Sequence, residues 1–213
     1  MADITYEQVK KIIKESVAHQ KRSVMDWHFG EPVYEGEPGV LLGESGLREL
    51  VARQHWTNFR LWHVEDRARR KDVDAHVIAD CKYAIDKLNQ RRNDLIERVD
   101  ECLLDMLGPL LPADAAERYN TETVGAALDR LSIQALKIYH MDEQCRRKDV
   151  DERHRNACGE KVLTLTRQHV DLERAVLELI DEYAAGTKKP KVYFQFKMYN
   201  DPALNPELYQ NKS

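Results

Sequence analysis

The hexapeptide RRKDVD occurs twice in this chain of 213 residues, at residues 69–74 and again at residues 146–151. Five of its six residues are charged, so the filling of a hydrophobic core does not require its repetition. The offset of 77 residues between the copies also pairs residues of the same chemical type outside them. Examples of such pairs are Trp62 with Tyr139, His63 with His140, Glu65 with Asp142, and Asp66 with Glu143. This extended match predicts that one helical hairpin is present in two copies.

Each hexapeptide is typical of the end of one helix and the start of the next. Arg and Lys are favoured in the last turn of a helix, and an Asp just before a helix can accept hydrogen bonds from its first amides. The alternative is that both copies are only charged surface. We expect a first hairpin at residues 45–107, a second at residues 121–186 and a strap at residues 187–213, all within one domain spanning residues 1–213.

Apolar periodicity predicts an all-α fold. The most regular stripe alternates spacings of three and four residues, and its members are Ile78, Cys81, Ile85, Leu88, Arg92, Leu95, Val99, Cys102 and Met106. Such spacing is typical of a helix packed against near-antiparallel neighbours in a bundle. Another helix is expected from residue 5 to about residue 24, before the Gly- and Pro-rich loop FGEPVYEGEPG at residues 29–39. The predicted architecture is a four-helix bundle of duplicated αα-hairpins with an extra N-terminal helix and an irregular C-terminal strap.

The charge balance disfavours two classes of partner. The chain has 33 Lys and Arg against 37 Asp and Glu, a net charge of −4, so no overall positive field attracts nucleic acid or an anionic membrane. The N-terminus MADITYEQVKKII lacks the apolar segment of a secretory signal, and no apolar run has the length that a bilayer requires. We therefore expect a cytoplasmic protein whose four cysteines are reduced. The sequence leaves open whether it forms a homodimer.

Two pairs of neighbouring acids are the candidate metal ligands. Glu65 and Asp142 fall on stripes that otherwise face the core, and Asp66 and Glu143 follow them. A buried carboxylate is costly unless it is paired or binds a cation, so converging acids predict a site for a divalent metal or an activated water. The alternative is a polar layer in which the acids pair with nearby Arg and Lys side chains. A third interpretation, whose spacing matches no standard zinc motif, is a zinc site made of His63, Cys81, His140 and Cys158.

The end of the bundle that carries both hexapeptides is the candidate ligand site. If the helices run up and down, both turns lie at one end and gather basic side chains near two histidines and two aromatic rings. A phosphate-bearing small molecule would find its charges matched there. The alternative is a solvated rim of charges with rings that belong to the core. The candidate ligand-binding residues are Trp62, His63, Arg69, Arg70, Tyr139, His140, Arg146 and Arg147.

Several longer strings carry a family resemblance. They are HWTNFRLWHVEDRARR from residue 55, IDKLNQRRNDLIERVD from residue 85, DRLSIQALKIYHM from residue 129 and FQFKMYNDPALNPELY from residue 194. With these strings the chain resembles the bacterial family known as domain of unknown function 4254, from about residue 45 onward. The resemblance implies no activity, cofactor or catalytic residue. It does suggest that the KMYNDPALNP segment docks on the bundle or covers its polar end.

Two classes of function fit these features. The first is a binding or accessory module for an anionic small ligand or partner, because the chain has no GxSxG, phosphate-binding glycine loop or HExxH motif. The second is a hydrolase of a nucleotide or sugar phosphate that uses a divalent metal as cofactor and the four acids as its ligands or bases.

Overall fold

The computed structural model describes residues 4–34, 36, 39–196, 198 and 201–209. These residues form helices joined by loops, and no β-strand occurs among them. The all-α prediction is therefore confirmed. The six helices are α1 (Tyr6–Phe29), α2 (Gly43–Ala68), α3 (Ala75–Leu107), α4 (Val124–Arg146), α5 (Glu152–Ala184) and the short α6 (Pro206–Tyr209), with a 3₁₀ turn at Gly108–Leu110.

Helices α1, α2 and α4 run in the same direction. Gln20 in the middle of α1 donates to the carbonyl of Leu128 in the first half of α4, and His28 at the end of α1 contacts His140 near the end of α4. Helices α3 and α5 return in the opposite direction, each as the second arm of a hairpin with α2 or α4. Neighbouring helices thus pack as a bundle, as the apolar spacing predicted.

The main hydrophobic core lies at one end of the bundle. It is formed by the first halves of α1, α2 and α4 and the second halves of α3 and α5, and its fully buried members include Ile12, Leu50, Leu103, Leu131 and Ile180. An aromatic layer of Trp27, Trp56 and Phe59, flanked by Tyr34, Trp62 and Tyr139, lies further along the same helices. The hairpins extend beyond this layer, where their side chains are more exposed.

Helix α1 is longer than its sequence predicted. It continues to Phe29, past the expected end near residue 24. The reason is that Val24 and Trp27 extend the buried face of the helix into the aromatic layer. At the other end, α1 begins with a capping box, since Thr5 and Gln8 bond each other's backbone amides.

The two hexapeptides adopt the same local arrangement. In the first copy, two guanidinium nitrogens of Arg70 donate to the Asp72 carboxylate, at 3.0 and 2.7 Å. In the second copy, two guanidinium nitrogens of Arg147 donate to the Asp149 carboxylate, at 3.0 and 2.5 Å. Both copies end one helix and begin the next, as predicted. The Asp151 side chain caps α5, whereas Asp74 precedes α3 without a capping hydrogen bond of its side chain. The common arrangement is what a duplication predicts, and the duplication itself stays a prediction.

The first part of the C-terminal segment lies along the loop before α4. The Lys189 amide donates to the Arg118 carbonyl at 2.8 Å, and the Gln195 amide donates to the Glu97 carboxylate on α3 at 2.7 Å. This segment is the expected irregular strap. Lys197, Tyr199 and Asn200 of KMYNDPALNP lie outside the described residues, and the docking or lid role of this segment stays a prediction.

Among the helices of the described residues, none combines the length and the apolar character that crossing a bilayer requires.

Candidate functional site

Three histidines from three helices meet where the aromatic layer ends. His28 belongs to α1, His63 to α2 and His140 to α4. Their ring centroids are 5.1, 5.2 and 5.6 Å apart, and every pair of rings meets edge to face. One ring nitrogen from each lies within 4.8 Å of the other two. Because α1, α2 and α4 run parallel, residues near their carboxyl ends come to the same level of the bundle.

Hydrogen bonds determine which nitrogen carries the proton in two of these rings. His28 Nδ1 lies 2.6 Å from the Val24 carbonyl, and His140 Nδ1 lies 2.7 Å from the Glu143 carboxylate. Both partners only accept, so Nδ1 donates in each case and the lone pair of the neutral ring is on Nε2. His140 Nε2 is buried and has no hydrogen-bond partner among the described residues.

The surroundings of His63 favour its neutral form. Burial lowers its pKa, and the neighbouring His28 and His140 lower it further, because a second positive charge beside them is unfavourable. The carboxylates of Asp66 and Glu31 act in the opposite direction without reversing the shift. A neutral imidazole offers a lone pair to a cation or a hydrogen-bond donor.

Aromatic rings hold the three histidines in place. Trp62 stacks on His140, with centroids 4.9 Å apart and ring planes 10° apart, and Tyr139 stacks on His28 at 4.6 Å. We predicted that Trp62 and Tyr139 would contact a ligand. In the structure, one face of each ring packs against a histidine, and Trp62 also lines a cleft.

That cleft is a large cavity beside His140. It has a volume of about 920 Å³ and lies between α2, α4 and α5. Such a volume is at the upper end of the range for small-molecule sites, which runs from about 300 to about 1,000 Å³. His140 forms part of its wall, and the apolar members of the wall are Trp62, Met141, Ala157 and Leu165.

Four charged side chains of the cleft form no ion pair within the described part of the chain. Lys137 and Lys161 form no ion pair there, and neither do Asp66 and the carboxylate of Glu160. The other arginines and acids predicted for this end of the bundle are paired. The cleft therefore combines apolar surface with charges that are available to a ligand.

The four predicted ligand-binding arginines form ion pairs with acids that lie within four residues of them in the sequence. Arg69 pairs with Glu65 at 3.0 Å, and Arg146 pairs with Asp142 one turn earlier in α4. Arg70 and Arg147 pair with the aspartates of their own turns, as described above. The predicted basic end is thus largely neutralised, since each cation finds a carboxylate within four residues. This arrangement agrees with the alternative interpretation of this end of the bundle, a solvated rim of charges.

The four predicted metal ligands do not converge on one site in the described structure. Glu65 lines a second cavity of about 400 Å³ beside Trp62, whereas Asp142 lines a separate cavity of about 300 Å³ beside α5. Their side chains are 36% and 43% exposed, because the stripe on which they fall passes beyond the core at this level. Glu143 instead bonds His140, and Asp66 remains unpaired in the cleft wall. This arrangement gives no support to a metal site built on the four acids, which stays a prediction.

The mixed zinc site predicted from two cysteines is not formed either. His63 and His140 do come together, but their third partner is His28. Cys158 Sγ lies 3.5 Å from His154 Nε2 at another place on α5, and both Cys81 and Cys158 are buried. The cysteines therefore fill space in the hairpins, which is the common role of a buried thiol.

His28 is the residue that sequence reasoning missed. The sequence predicts that the N-terminal helix ends before it, near residue 24. A signal that α1 includes His28 is nevertheless present in the sequence. The three- and four-residue spacing continues through Val17, Gln20, Val24 and Trp27, and it indicates one more turn of helix.

A buried polar network lies closer to the main core than the three histidines do. Asp129 on α4 accepts hydrogen bonds from Asn58 Nδ2 at 2.9 Å and from Arg92 Nε at 2.8 Å. The Gln54 amide and the second Arg92 nitrogen also donate to this carboxylate. Arg92 interrupts the apolar stripe of α3, and its inward position is explained because it neutralises the buried carboxylate of Asp129. Since its carboxylate is fully bonded, Asp129 is a structural link between α2, α3 and α4.

His55 adds a neutral group to this level of the bundle. Its Nδ1 lies 2.7 Å from Ser132 Oγ, and its ring lies 4.9 Å from that of Trp27. Burial lowers the pKa of His55 to about 3, so the ring is uncharged at neutral pH.

The strings that carry the resemblance contain most of these residues. The family described as protein of unknown function (DUF4254) matches residues 48–192, which is more than half of the chain. The chain belongs to this family. The DUF4254 match extends from α2 to the beginning of the strap and includes His63 and His140, whereas His28 precedes it. No curated protein and no solved structure matches the chain.

Proposed function

We propose that this chain is a binding module for a small organic anion, and that the cleft between α2, α4 and α5 is its site. The observation that carries the proposal is the unpaired state of Lys137 and Lys161 in a cleft of about 920 Å³. Cations that have no internal partner are available to a phosphate or carboxylate group, whereas the paired arginines of the two turns are not.

The composition of the cleft wall supports a particular class of ligand. Met141 and Leu165 offer apolar contact, and Trp62 offers the edge and free part of an aromatic ring. A ligand that joins a ring system to an anionic group would satisfy both kinds of surface. The unpaired carboxylates of Asp66 and Glu160 would suit hydroxyl or amino groups on the same molecule.

The competing proposal is a metal-dependent hydrolase of a nucleotide or sugar phosphate built on four acids. Three of those acids are paired with Arg or His side chains, and Glu65 and Asp142 line separate cavities. We therefore favour the binding module.

A ligand panel tests the proposal. Adenosine monophosphate, uridine monophosphate, glucose 6-phosphate and inorganic phosphate would each be titrated by calorimetry, with thermal melts in parallel. We expect a ring-bearing phosphate to bind more tightly than inorganic phosphate, and Lys137→Ala or Lys161→Ala to weaken it by about tenfold or more, as loss of a charged contact does.

The matched control is Lys87→Ala, which removes an exposed lysine of α3 that does not line the cleft. This variant should bind as the unaltered protein does. The proposal fails if none of the ring-bearing phosphates binds, or if the Lys137→Ala/Lys161→Ala double variant binds them unchanged. Circular dichroism of each variant establishes that the fold is retained.

A further inference from the structure

We propose that His28, His63 and His140 form a binding site for a first-row divalent cation, with zinc as the best match. This site goes beyond the ligand cleft and does not depend on it. Imidazole nitrogens are preferred by zinc and its neighbours in the first row, whereas magnesium and calcium prefer oxygen ligands. Three histidines with a fourth position open is also a common arrangement for zinc in proteins.

The spacing of the three rings suits such a cation. One nitrogen from each ring lies within 4.8 Å of the others. Zinc–nitrogen bonds of about 2.0–2.1 Å place tetrahedral ligands roughly 3.3 Å apart, so small side-chain rotations bring the nitrogens to that distance. The edge-to-face packing of all three pairs keeps the rings out of mutual stacks, in which lone pairs could not converge.

The hydrogen bonds of the outer nitrogens match those of metal-binding histidines. A ligating histidine generally donates its second N–H to a carbonyl or a carboxylate, and this bond orients the ring. His28 does so to Val24 and His140 does so to Glu143. The geometry leaves Nε2 of both rings as the free nitrogen.

His140 Nε2 is a polar atom that the cluster leaves unsatisfied, as are buried ring nitrogens of His55 and His169 elsewhere in the described bundle. A buried imidazole in a core usually finds a partner for its polar atoms, because an unsatisfied buried group costs about 1–3 kcal/mol. His140 Nε2 is buried and has no such partner among the described residues. A bound cation would satisfy it.

Nearby carboxylates would partly balance the charge of the cation. Asp66 and Glu31 act electrostatically on His63, and Glu143 bonds His140 directly. Asp66 has no ion pair in the described structure and lines the cleft together with His140. Its carboxylate is not part of the group of ligand atoms that lie within 4.8 Å of one another, so its role would be to accept a hydrogen bond from a metal-bound water, and the cation would lie beside the cleft.

Metal titration of the untagged full chain tests this inference. After treatment with EDTA and dialysis, the protein would be titrated with Zn²⁺ by calorimetry and with Co²⁺ by visible absorption. We expect about one Zn²⁺ per chain, a rise in melting temperature with Zn²⁺ and none with Mg²⁺, and Co²⁺ bands typical of tetrahedral nitrogen coordination.

Three variants make the result specific. His28→Gln and His63→Gln should each weaken Zn²⁺ binding by about 100-fold or more, and Glu143→Gln should weaken it by about 10- to 100-fold through His140. The matched control is His76→Gln, which removes an exposed histidine of α3 and should leave the affinity unchanged.

Absence of Zn²⁺ binding by the unaltered chain would overturn the inference, as would a His28→Gln variant that binds with unchanged affinity. Should a histidine variant lose its helical circular dichroism, Glu143→Gln decides, since its carboxylate is partly exposed and its amide replacement is nearly isosteric. An unchanged affinity in folded Glu143→Gln then contradicts the site, and the predicted weakening supports it.

Discussion

Arg92 on α3 and Asp129 on α4 form a bidentate ion pair that joins the two hairpins. Both guanidinium contacts reach the carboxylate, whose side chain is only 3% exposed, while that of Arg92 is 26% exposed. On α4, Asp129 lies about three helical turns before His140. The pair therefore helps to set the register between the hairpins below the candidate sites.

Replacement of Asp129 by Ala should destabilise the protein by roughly 3 kcal/mol, because it leaves Arg92, Asn58 and Gln54 without their common acceptor. Chemical denaturation followed by circular dichroism measures the change. Asp171→Ala is the control, since Asp171 is 73% exposed and only loosely paired, and it should cost no more than about 0.5 kcal/mol. A loss below about 1 kcal/mol in Asp129→Ala would show that the buried pair does not link the hairpins.

Gly125 and Gly159 should respond in opposite directions to replacement by Ala. A Cβ at Gly125 would lie 2.6 Å from the Ile96 carbonyl oxygen and 2.8 Å from an Asp100 oxygen, so α3 and α4 would have to separate. We expect a loss of about 1–3 kcal/mol. A Cβ at Gly159 meets nothing within 4 Å, so Gly159→Ala should raise stability by about 0.5–1 kcal/mol through helix propensity. Thermal melts of both variants test the contrast, and equal effects would contradict the close approach of α3 to α4.

Asp100 should make stability depend on pH. Burial raises its pKa from 3.8 to about 7, against the opposing hydrogen bonds from Thr123 and the Gly125 amide. The folded chain thus holds this proton more tightly than the unfolded chain. Its contribution is complete below pH 3.8 and is lost as the pH rises through about 7.

The unaltered protein should therefore lose stability relative to Asp100→Asn between about pH 4 and pH 7, by at most about 4 kcal/mol. Urea midpoints of both proteins across this range provide the measurement. Parallel curves would mean that Asp100 keeps an ordinary pKa in the folded chain.

Apolar spacing was sufficient to predict the helices and their hairpins, because the buried face of a long helix repeats many times. The end of α1 was harder to predict, since its last turn is buried by an aromatic layer that only the folded bundle creates. Arg92 shows the same limit. Its place on the α3 stripe correctly indicated an inward position, but its partner Asp129 lies on another hairpin, and sequence spacing carries no information about such a contact.

The candidate site was predicted in part for a related reason. Periodicity indicates which face of a helix points inward, yet it does not indicate how far the core extends along that face. Glu65 and Asp142 lie on the predicted face but beyond the core, so each pairs with an arginine one turn later. His63 and His140, which occupy matching positions at the offset of 77 residues, do lie at the same level. Their third neighbour, His28, comes from a helix outside the predicted repeat.

The position of Trp62 gives the protein an optical reporter of its own. Its indole stacks on His140 and borders both the large cleft and the neighbouring smaller cavity. Indole fluorescence responds to changes in local polarity and to nearby quenchers, so occupancy of either space should alter the emission without any attached dye.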